Sequence, residues 1–464
     1  MKTIKVLNPY DQSLIEELDR TSEDETLSIL DESCNLYKDR SAWLPPYQRI
    51  EVFENAIELI KKRSPELAKT AALEGGKPVV DSKIEIDRAV NEIKVAIHEM
   101  YHFAGRWIPM NITLSSSNRM AYTIREPRGA VLAISAFNHP FNLIIHQVIP
   151  AIAAGCPVIV KPSSATPLSC RNLVNILYQA GLPEAWCRMI LCENRVAEKI
   201  AGDKRIAFLT FIGSAKVGWR LRSLLPPGAT CALEHGGSAP VIFDDTADPD
   251  KALPLLVKGG FYHAGQVCVS VQKIYVHENI VNEFSAKMTK MVQSLEVGDP
   301  MDETAEVGPL ITPQEVDRIH EWFLQAKKKG AAILCGGTKL SQTCYAPTLI
   351  LDPPDDAIIS QKEIFGPVVA IYTYKNRDEA IKRANSPNFS FQAAVFTKNL
   401  DLAMDTVNRL NATTVMVNDH TAFRVDWMPF GGNKESGLGV GGIGPAMHEM
   451  SIEKLMIIND LTYG

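Results

Sequence analysis

The chain has 464 residues, 46% of them hydrophobic and 22% charged, with a formal net charge of -6. That length exceeds one ordinary core and implies two or three domains, and the small charge, with Lys and Arg interspersed among Asp and Glu, leaves no electrostatic footprint for nucleic acid. Nine cysteines, odd in number, scattered and without a Cys-x-x-Cys pair, argue against a disulfide framework or structural zinc and suit a reducing cytoplasm.

In chain order, Lys2 and Lys5 are followed by Asn8, Pro9 and Asp11 rather than an apolar run, so no signal peptide is expected. Residues 13 to 106 carry helical periodicity (Val52, Ile57, Leu59, Ile60, Leu67), which predicts several helices. Residues 111 to 124, serine-rich between extended flanks, predict a protruding hairpin of the kind that meets partner subunits. From Gly129 the signals alternate: strand 131–135, helix 140–155, strand 158–160, helix 168–180, strand 189–191, helix 195–201, strand 206–211, a helix from Ser214, and a strand leading to Glu234. This spacing predicts a parallel, doubly wound α/β sheet whose ligands lie at the carboxyl ends of its strands, marked by Phe137-Asn138, Lys161-Pro162-Ser163 and Gly213-Ser214. The most membrane-like stretch, 143 to 160, contains His146, Gln147, Pro150, Gly155 and Pro157 and reads as a buried helix and short strand, so no membrane partner is expected. A second α/β block covers about 236 to 440, with helices near 249–263, 279–294, 313–328, 376–385 and 399–408. Thr312-Pro313-Gln314-Glu315 reads as an N-cap, a first-turn proline and a capping-box glutamate. After Gly444, the run from Leu455 to Ile458 predicts a strand that pairs with the 111–124 hairpin, within the chain or across subunits.

Two stretches carry the chemistry. Glu234 follows a strand-like run and precedes Gly236-Gly237, so its carboxylate is expected to leave a strand end into a close-packed turn as a tuned acid. Cys268, thirty-four residues later, follows Gly259-Gly260 and Gly265 and opens a β-branched run (Val267, Val269, Val271), which predicts an exposed thiol. Taken alone, the cysteine is more ordinarily a buried hydrophobe and the glutamate a turn former.

Together the two stretches resemble the glutamate and cysteine signatures of the aldehyde dehydrogenase superfamily. Further stretches resemble that family in its order: Phe137-Asn138-His139-Pro140, Gly155 to Ser163, Phe211-Ile212-Gly213-Ser214, Glu363 to Pro367, and Pro429-Phe430-Gly431-Gly432 with Ser436-Gly437. The resemblance implies a Rossmann-type cofactor-binding domain (1–110 and 130–235), an α/β catalytic domain (236–444), and a small β oligomerisation element (111–129 and 445–464) that builds a homodimer or homotetramer. It also implies oxidation of a small-molecule aldehyde to the acid with NAD or NADP and no metal. Cys268 would then be the nucleophile, Asn138 and the Cys268 backbone N–H the oxyanion donors, and Glu234 the base that activates water against the thioester. Cofactor contacts carry over to Ser135, Phe137, Lys161, Ser163, Ser164, Gly213, Ser214, Val217, Glu363 and Phe365.

Two departures matter. Many NAD-preferring members carry a glutamate where this chain has Ser164, so NADP is not excluded. The usual glycine-rich turn is replaced by Cys192-Glu193-Asn194-Arg195, where Glu193 is placed to discourage a phosphate. His139, Asn142, His146 and Arg424 form a polar set at the expected aldehyde pocket, which points to a short, hydroxylated or anionic substrate, although Arg424 with Asp426 is more ordinarily a structural ion pair. A CoA-acylating enzyme needs no base at Glu234, and a non-catalytic protein of the same fold needs none of Cys268, Glu234 and Asn138.

Overall fold

The computed structural model describes residues 3–459. The N-terminal segment opens with an antiparallel pair, Thr3–Leu7 with Leu14–Asp19, so the helical reading fails at its first six residues. Asn8 and Asp11 explain the hairpin: their side chains accept from the backbone N–H groups of Tyr10 and Ser13 and close the turn before the chain can coil. The expected helices follow at Glu23–Lys38, Pro46–Gly75 and Val79–His102. Ser22 caps the first through its hydroxyl, and Gly76, in the left-handed region, ends the second.

Six strands form the first sheet in the order Gly437–Leu438, Thr230–Glu234, Ile206–Ile212, Ala130–Ile134, Val158–Lys161, Cys187–Met189. All are parallel except Gly437–Leu438, which runs antiparallel against the end of Thr230–Glu234. Both faces are buried, as a crossover-connected parallel sheet requires. Val131, Ala133, Val158 and Val160 pack under helices 46–75, 79–102 and Asn142–Ala154, while Leu132, Ile134 and Ile159 pack on the opposite side with residues of helices 23–38 and Asn194–Ala201. The last strand lies two residues earlier than the hydrophobic run suggests, because the Leu191 N–H leaves the ladder for the hydroxyl of Thr21.

The second sheet has seven strands in the order Ala332–Cys335, Thr348–Leu351, Val368–Tyr374, Lys273–His277, Pro240–Phe243, Gln392–Phe396, Thr414–Val417, parallel except at Ala332–Cys335. Its helices are Pro249–Phe261, Val281–Gln293, Pro313–Lys328, Arg377–Ala384 and Leu400–Arg409. The proposed capping box at Thr312 does not form. Thr312 makes no side-chain cap, and the Glu315 carboxylate binds Arg318 at 2.7 Å, a stronger charge-assisted partner than a backbone N–H.

The third sheet is small and antiparallel. Trp107–Ile108, Arg119–Pro127 and Ser451–Asn459 pair within the chain, in register from Ser451 opposite Pro127 to Asn459 opposite Arg119. Beyond Ser451 this edge strand is exposed at every residue. Residues 460–464 of the expected oligomerisation element lie outside the described residues. No helix among the described residues is long and apolar enough to cross a membrane.

Candidate functional site

The carboxyl ends of the first sheet open onto a cleft of about 730 Å³ whose far wall comes from the second sheet and its loops. Residues on this cleft include Ser135, Phe137, Asn138, Lys161, Ser163, Ser164, Gly213, Ser214, Val217 and Glu234 from the first side, and Cys268, Glu363, Phe365 and Arg424 from the other. Residues more than two hundred positions apart therefore converge because parallel strands end on one edge and their crossovers deliver loops there.

Cys268 sits in a turn, with the strand that follows beginning only at Lys273. Its backbone is bent by His263 and Ala264, two consecutive non-glycine residues with φ of +51° and +54°, a conformation that costs on the order of 1–3 kcal/mol per residue and is sustained by surrounding packing. The thiol is half-buried rather than exposed. Burial pushes it up to about 12, and the carboxylates of Glu363 and Glu234 add to the rise, so at neutral pH the resting sulfur is a protonated thiol.

Asn138 is buried, and its Nδ2 donates to the Gln266 carbonyl at 2.9 Å, two residues before Cys268. One of its two amide N–H groups is thus used to bind the cysteine loop and the other remains for a ligand. Glu234 is the last residue of its strand, and its Oε1 lies 3.0 Å from Nε2 of His146. His146 itself is not part of the cleft wall. It lies behind Glu234 with Glu92 and Arg424 at its Nδ1 side, at 3.8 and 3.3 Å.

The remaining polar set divides. His139 reaches the cleft with its ring nitrogen hydrogen-bonded to the hydroxyl of Tyr262, and burial first, then Lys77, holds it neutral. Asn142 donates to Glu92 Oε1 at 3.1 Å while its Oδ1 has no partner. The expected Arg424 to Asp426 ion pair is absent: Asp426 is taken by Arg88 at 2.7 Å and by Asn91, both on helix Val79–His102. Arg424 instead stacks its guanidinium 3.8 Å from the Phe430 ring centroid, with Nε buried and unpartnered. Arg88, Glu92 and Tyr262 escaped the sequence reading. The first two sit on an ordinary amphipathic helix, and their only signal is an acid and a base four residues apart on its buried side.

The residues expected to hold a cofactor leave buried polar atoms without partners. Ser135 Oγ and Glu363 Oε1 are buried without hydrogen-bond partners, and buried Lys161 makes no side-chain hydrogen bond among the described residues. Unsatisfied buried polar atoms aimed at a cleft are costly unless a ligand completes them. Gly236 leaves room for Glu363 in its present position, because a Cβ there would stand 1.8 Å from its carboxylate oxygen and displace it. Burial raises Glu363 to about 8, while Gly237 and Arg318 oppose the rise. Ser214 stands at the N-cap of Ala215–Leu224 without a side-chain cap, leaving its hydroxyl and the helix N-terminus turned to the cleft. Phe137 and Phe365 meet edge to face at 6.0 Å across the two halves. Glu193 is not on the cleft, since it pairs with Arg195 at 2.9 Å, and Asn194 and Glu198 line the wall in its place. Ser164 is exposed on the wall, with no carboxylate of its own.

The family model described as the aldehyde dehydrogenase family matches residues 1–456. A 3-sulfolactaldehyde dehydrogenase of Priestia aryabhattai is 35% identical over 457 residues, covering 98% of this chain and 95% of that protein. Among solved structures, aldehyde dehydrogenase 21 from Physcomitrella patens in complex with the reaction product succinate superposes with a TM-score of 0.96 at 32% identity, covering 100% of this chain and 96% of that one. The glyceraldehyde-3-phosphate dehydrogenase GapN of Methanocaldococcus jannaschii, complexed with NADP, gives 0.94 at 33% identity, with 99% of each chain covered.

Proposed function

The chain belongs to the aldehyde dehydrogenase family, whose reaction is the NAD(P)-dependent oxidation of an aldehyde, and from that premise we propose that its substrate is a short aldehyde bearing an anionic group. The carrying observation is Arg424, a guanidinium on the cleft wall that forms no ion pair with a carboxylate among the described residues and keeps a buried, unpartnered Nε. A carboxylate, sulfonate or phosphate at that position would receive charge-assisted hydrogen bonds and turn its aldehyde toward Cys268. The names of three relatives fit this chemistry, since 3-sulfolactaldehyde, succinate and glyceraldehyde 3-phosphate are short and anionic, while others are lactaldehyde dehydrogenases, whose named substrate is short and polar but uncharged.

In this reading the Cys268 thiol gives up its proton to solvent as the sulfur bonds to the aldehyde carbon. The resulting oxyanion is held by the second N–H of Asn138 and by the Cys268 backbone N–H, which has no other acceptor among the described residues. Lys161, Glu363, Ser135 and the helix terminus at Ser214 would hold NAD(P), which would supply the hydride acceptor. Glu234 then takes a proton from water as the water oxygen adds to the thioester carbon, the C–S bond breaks, and the departing thiolate takes that proton back from Glu234, restoring both groups. Phe365, held at φ of +48°, and Phe137 would flank the nicotinamide end.

The division into a cofactor domain built on the first sheet, a catalytic domain built on the second, and an oligomerisation element is part of the same reading. The exposed Trp107, Leu455 and Ile457 on the three-stranded sheet support assembly into a homodimer or homotetramer. Nine free cysteines suit a reducing cytoplasm. The test is an aldehyde panel of matched neutral and anionic short chains assayed with NAD, NADP and CoA. Preference for the anionic members without CoA is expected, and preference for long alkyl or aromatic aldehydes would discard the anionic reading.

A further inference from the structure

Behind Glu234 the structure holds a second carboxylate that the reaction as written does not use. Glu92, on helix Val79–His102, is fully buried, yet its Oε2 has no hydrogen-bond partner. Between the two acids stands His146, with Nε2 at 3.0 Å from Glu234 Oε1 and Nδ1 at 3.8 Å from Glu92 Oε2. A buried carboxylate is retained only when charge or hydrogen bonds compensate it, and an imidazole with a carboxylate at each ring nitrogen compensates both only as its cation, with one N–H directed to each. We propose that Glu92 and His146 are positioning residues for Glu234: Glu92 orients the imidazole so that Nε2–H is donated to Glu234 Oε1, which aims that carboxylate at the water that resolves the thioester.

Three observations converge on this. His146 is behind the base and not on the cleft wall, so it is badly placed to touch an aldehyde but well placed to hold Glu234. Gly441 leaves room for the arrangement, because a Cβ there would fall 2.2 Å from Glu234 Oε1. The charges around the ring favour a protonated imidazole: burial alone lowers it, but Glu234 and Glu92 outweigh burial and Arg424, raising His146 to about 9. Glu92 is correspondingly lowered to about 2, against its burial, with His146, Arg424 and Arg88 as the causes. Asn142 donates to the other oxygen of Glu92, and Arg88 divides its guanidinium between Asp426 and Glu92.

The inference rests on the reading of Glu234 as the water-activating base, and the test separates the two. In the enzyme loaded with its cofactor, Glu92→Gln and His146→Gln are compared with Glu234→Gln for the single-turnover burst of NAD(P)H and for steady-state turnover. The burst is expected to persist in both variants while steady-state turnover falls roughly ten- to hundredfold, less than the about 10²–10⁴-fold attributed to a general base. Hydroxylamine, which cleaves a thioester without help from a base, should restore turnover in both. Steady-state turnover within twofold of the parent in both variants, while Glu234→Gln loses it, would overturn the positioning role alone. A raised KM for anionic aldehydes with unchanged kcat would overturn it in favour of substrate binding. Equal loss of burst and turnover without rescue by hydroxylamine would overturn it as a structural pair. Full turnover in Glu234→Gln would overturn the base reading on which it rests.

Discussion

The amide nitrogen of Asn138 donates to the backbone carbonyl of Gln266 at 2.9 Å, so the first half of the molecule grips the loop of Cys268 through the residue proposed to hold the oxyanion. Asn138→Ala should lower kcat by about 10²–10³-fold, the usual cost of one oxyanion donor. Asn138→Asp should do no better, since a carboxylate would repel both the oxyanion and the Gln266 carbonyl. Steady-state kinetics with unchanged KM for the cofactor checks that the loss is chemical.

Cys268→Ala should abolish NAD(P)H formation, burst included. Glu234→Gln should keep a single-turnover burst and lose steady-state turnover, because the glutamine cannot take the proton of water. Rapid mixing followed at the nicotinamide absorbance distinguishes the two, and a Cys268→Ala variant with full turnover would refute the covalent route.

Arg424→Ala should cost about 1.5–3 kcal/mol of transition-state binding for anionic aldehydes, or roughly ten- to hundredfold in kcat/KM, and little for neutral short ones. Equal losses for both classes would show that stacking on Phe430 to hold the loop is the main task of this side chain.

Ser164→Glu should shift the ratio of kcat/KM toward NAD by about tenfold or more, through repulsion between the new carboxylate and a ribose 2′-phosphate. The parent should use both cofactors measurably, because Glu193 is held by Arg195 away from the cleft. An unchanged ratio would mean that residue 164 does not face the ribose.

Cofactor affinity should strengthen as pH rises from about 6 to 8 and level off above. Burial holds Glu363 at about 8 in the free protein, and in the proposed site hydrogen bonds from ribose hydroxyls would favour its ionised form, so the bound value would be lower and binding would release a proton. Between the two values each pH unit gains up to about tenfold in affinity, and above the free value the gain ends. Glu363→Gln should flatten this dependence, as read by fluorescence titration with NAD or NADP.

Much of this protein was legible in residue order alone. The alternation of apolar runs with helical periods from Gly129 to Glu234 predicts the parallel sheet, because a strand and its crossover helix are local patterns of one short segment. The ordered stretches from Phe137 to Ser436 bring Cys268, Glu234 and Asn138 to attention before any coordinate does. What one dimension does not carry is which charges meet. Asp426 stands two residues from Arg424 yet pairs with Arg88, more than three hundred positions away. His146 follows Asn138 closely enough to suggest a pocket wall, but its helix turns it behind Glu234 and against Glu92. The short strand Leu14–Asp19 was likewise hidden, because six residues fit either period and only the partner strand Thr3–Leu7 decides between them. Local periodicity determines elements and strand ends, whereas the state of a buried thiol, imidazole or carboxylate depends on desolvation and on charges delivered by distant segments, which exist only once the tertiary fold has closed.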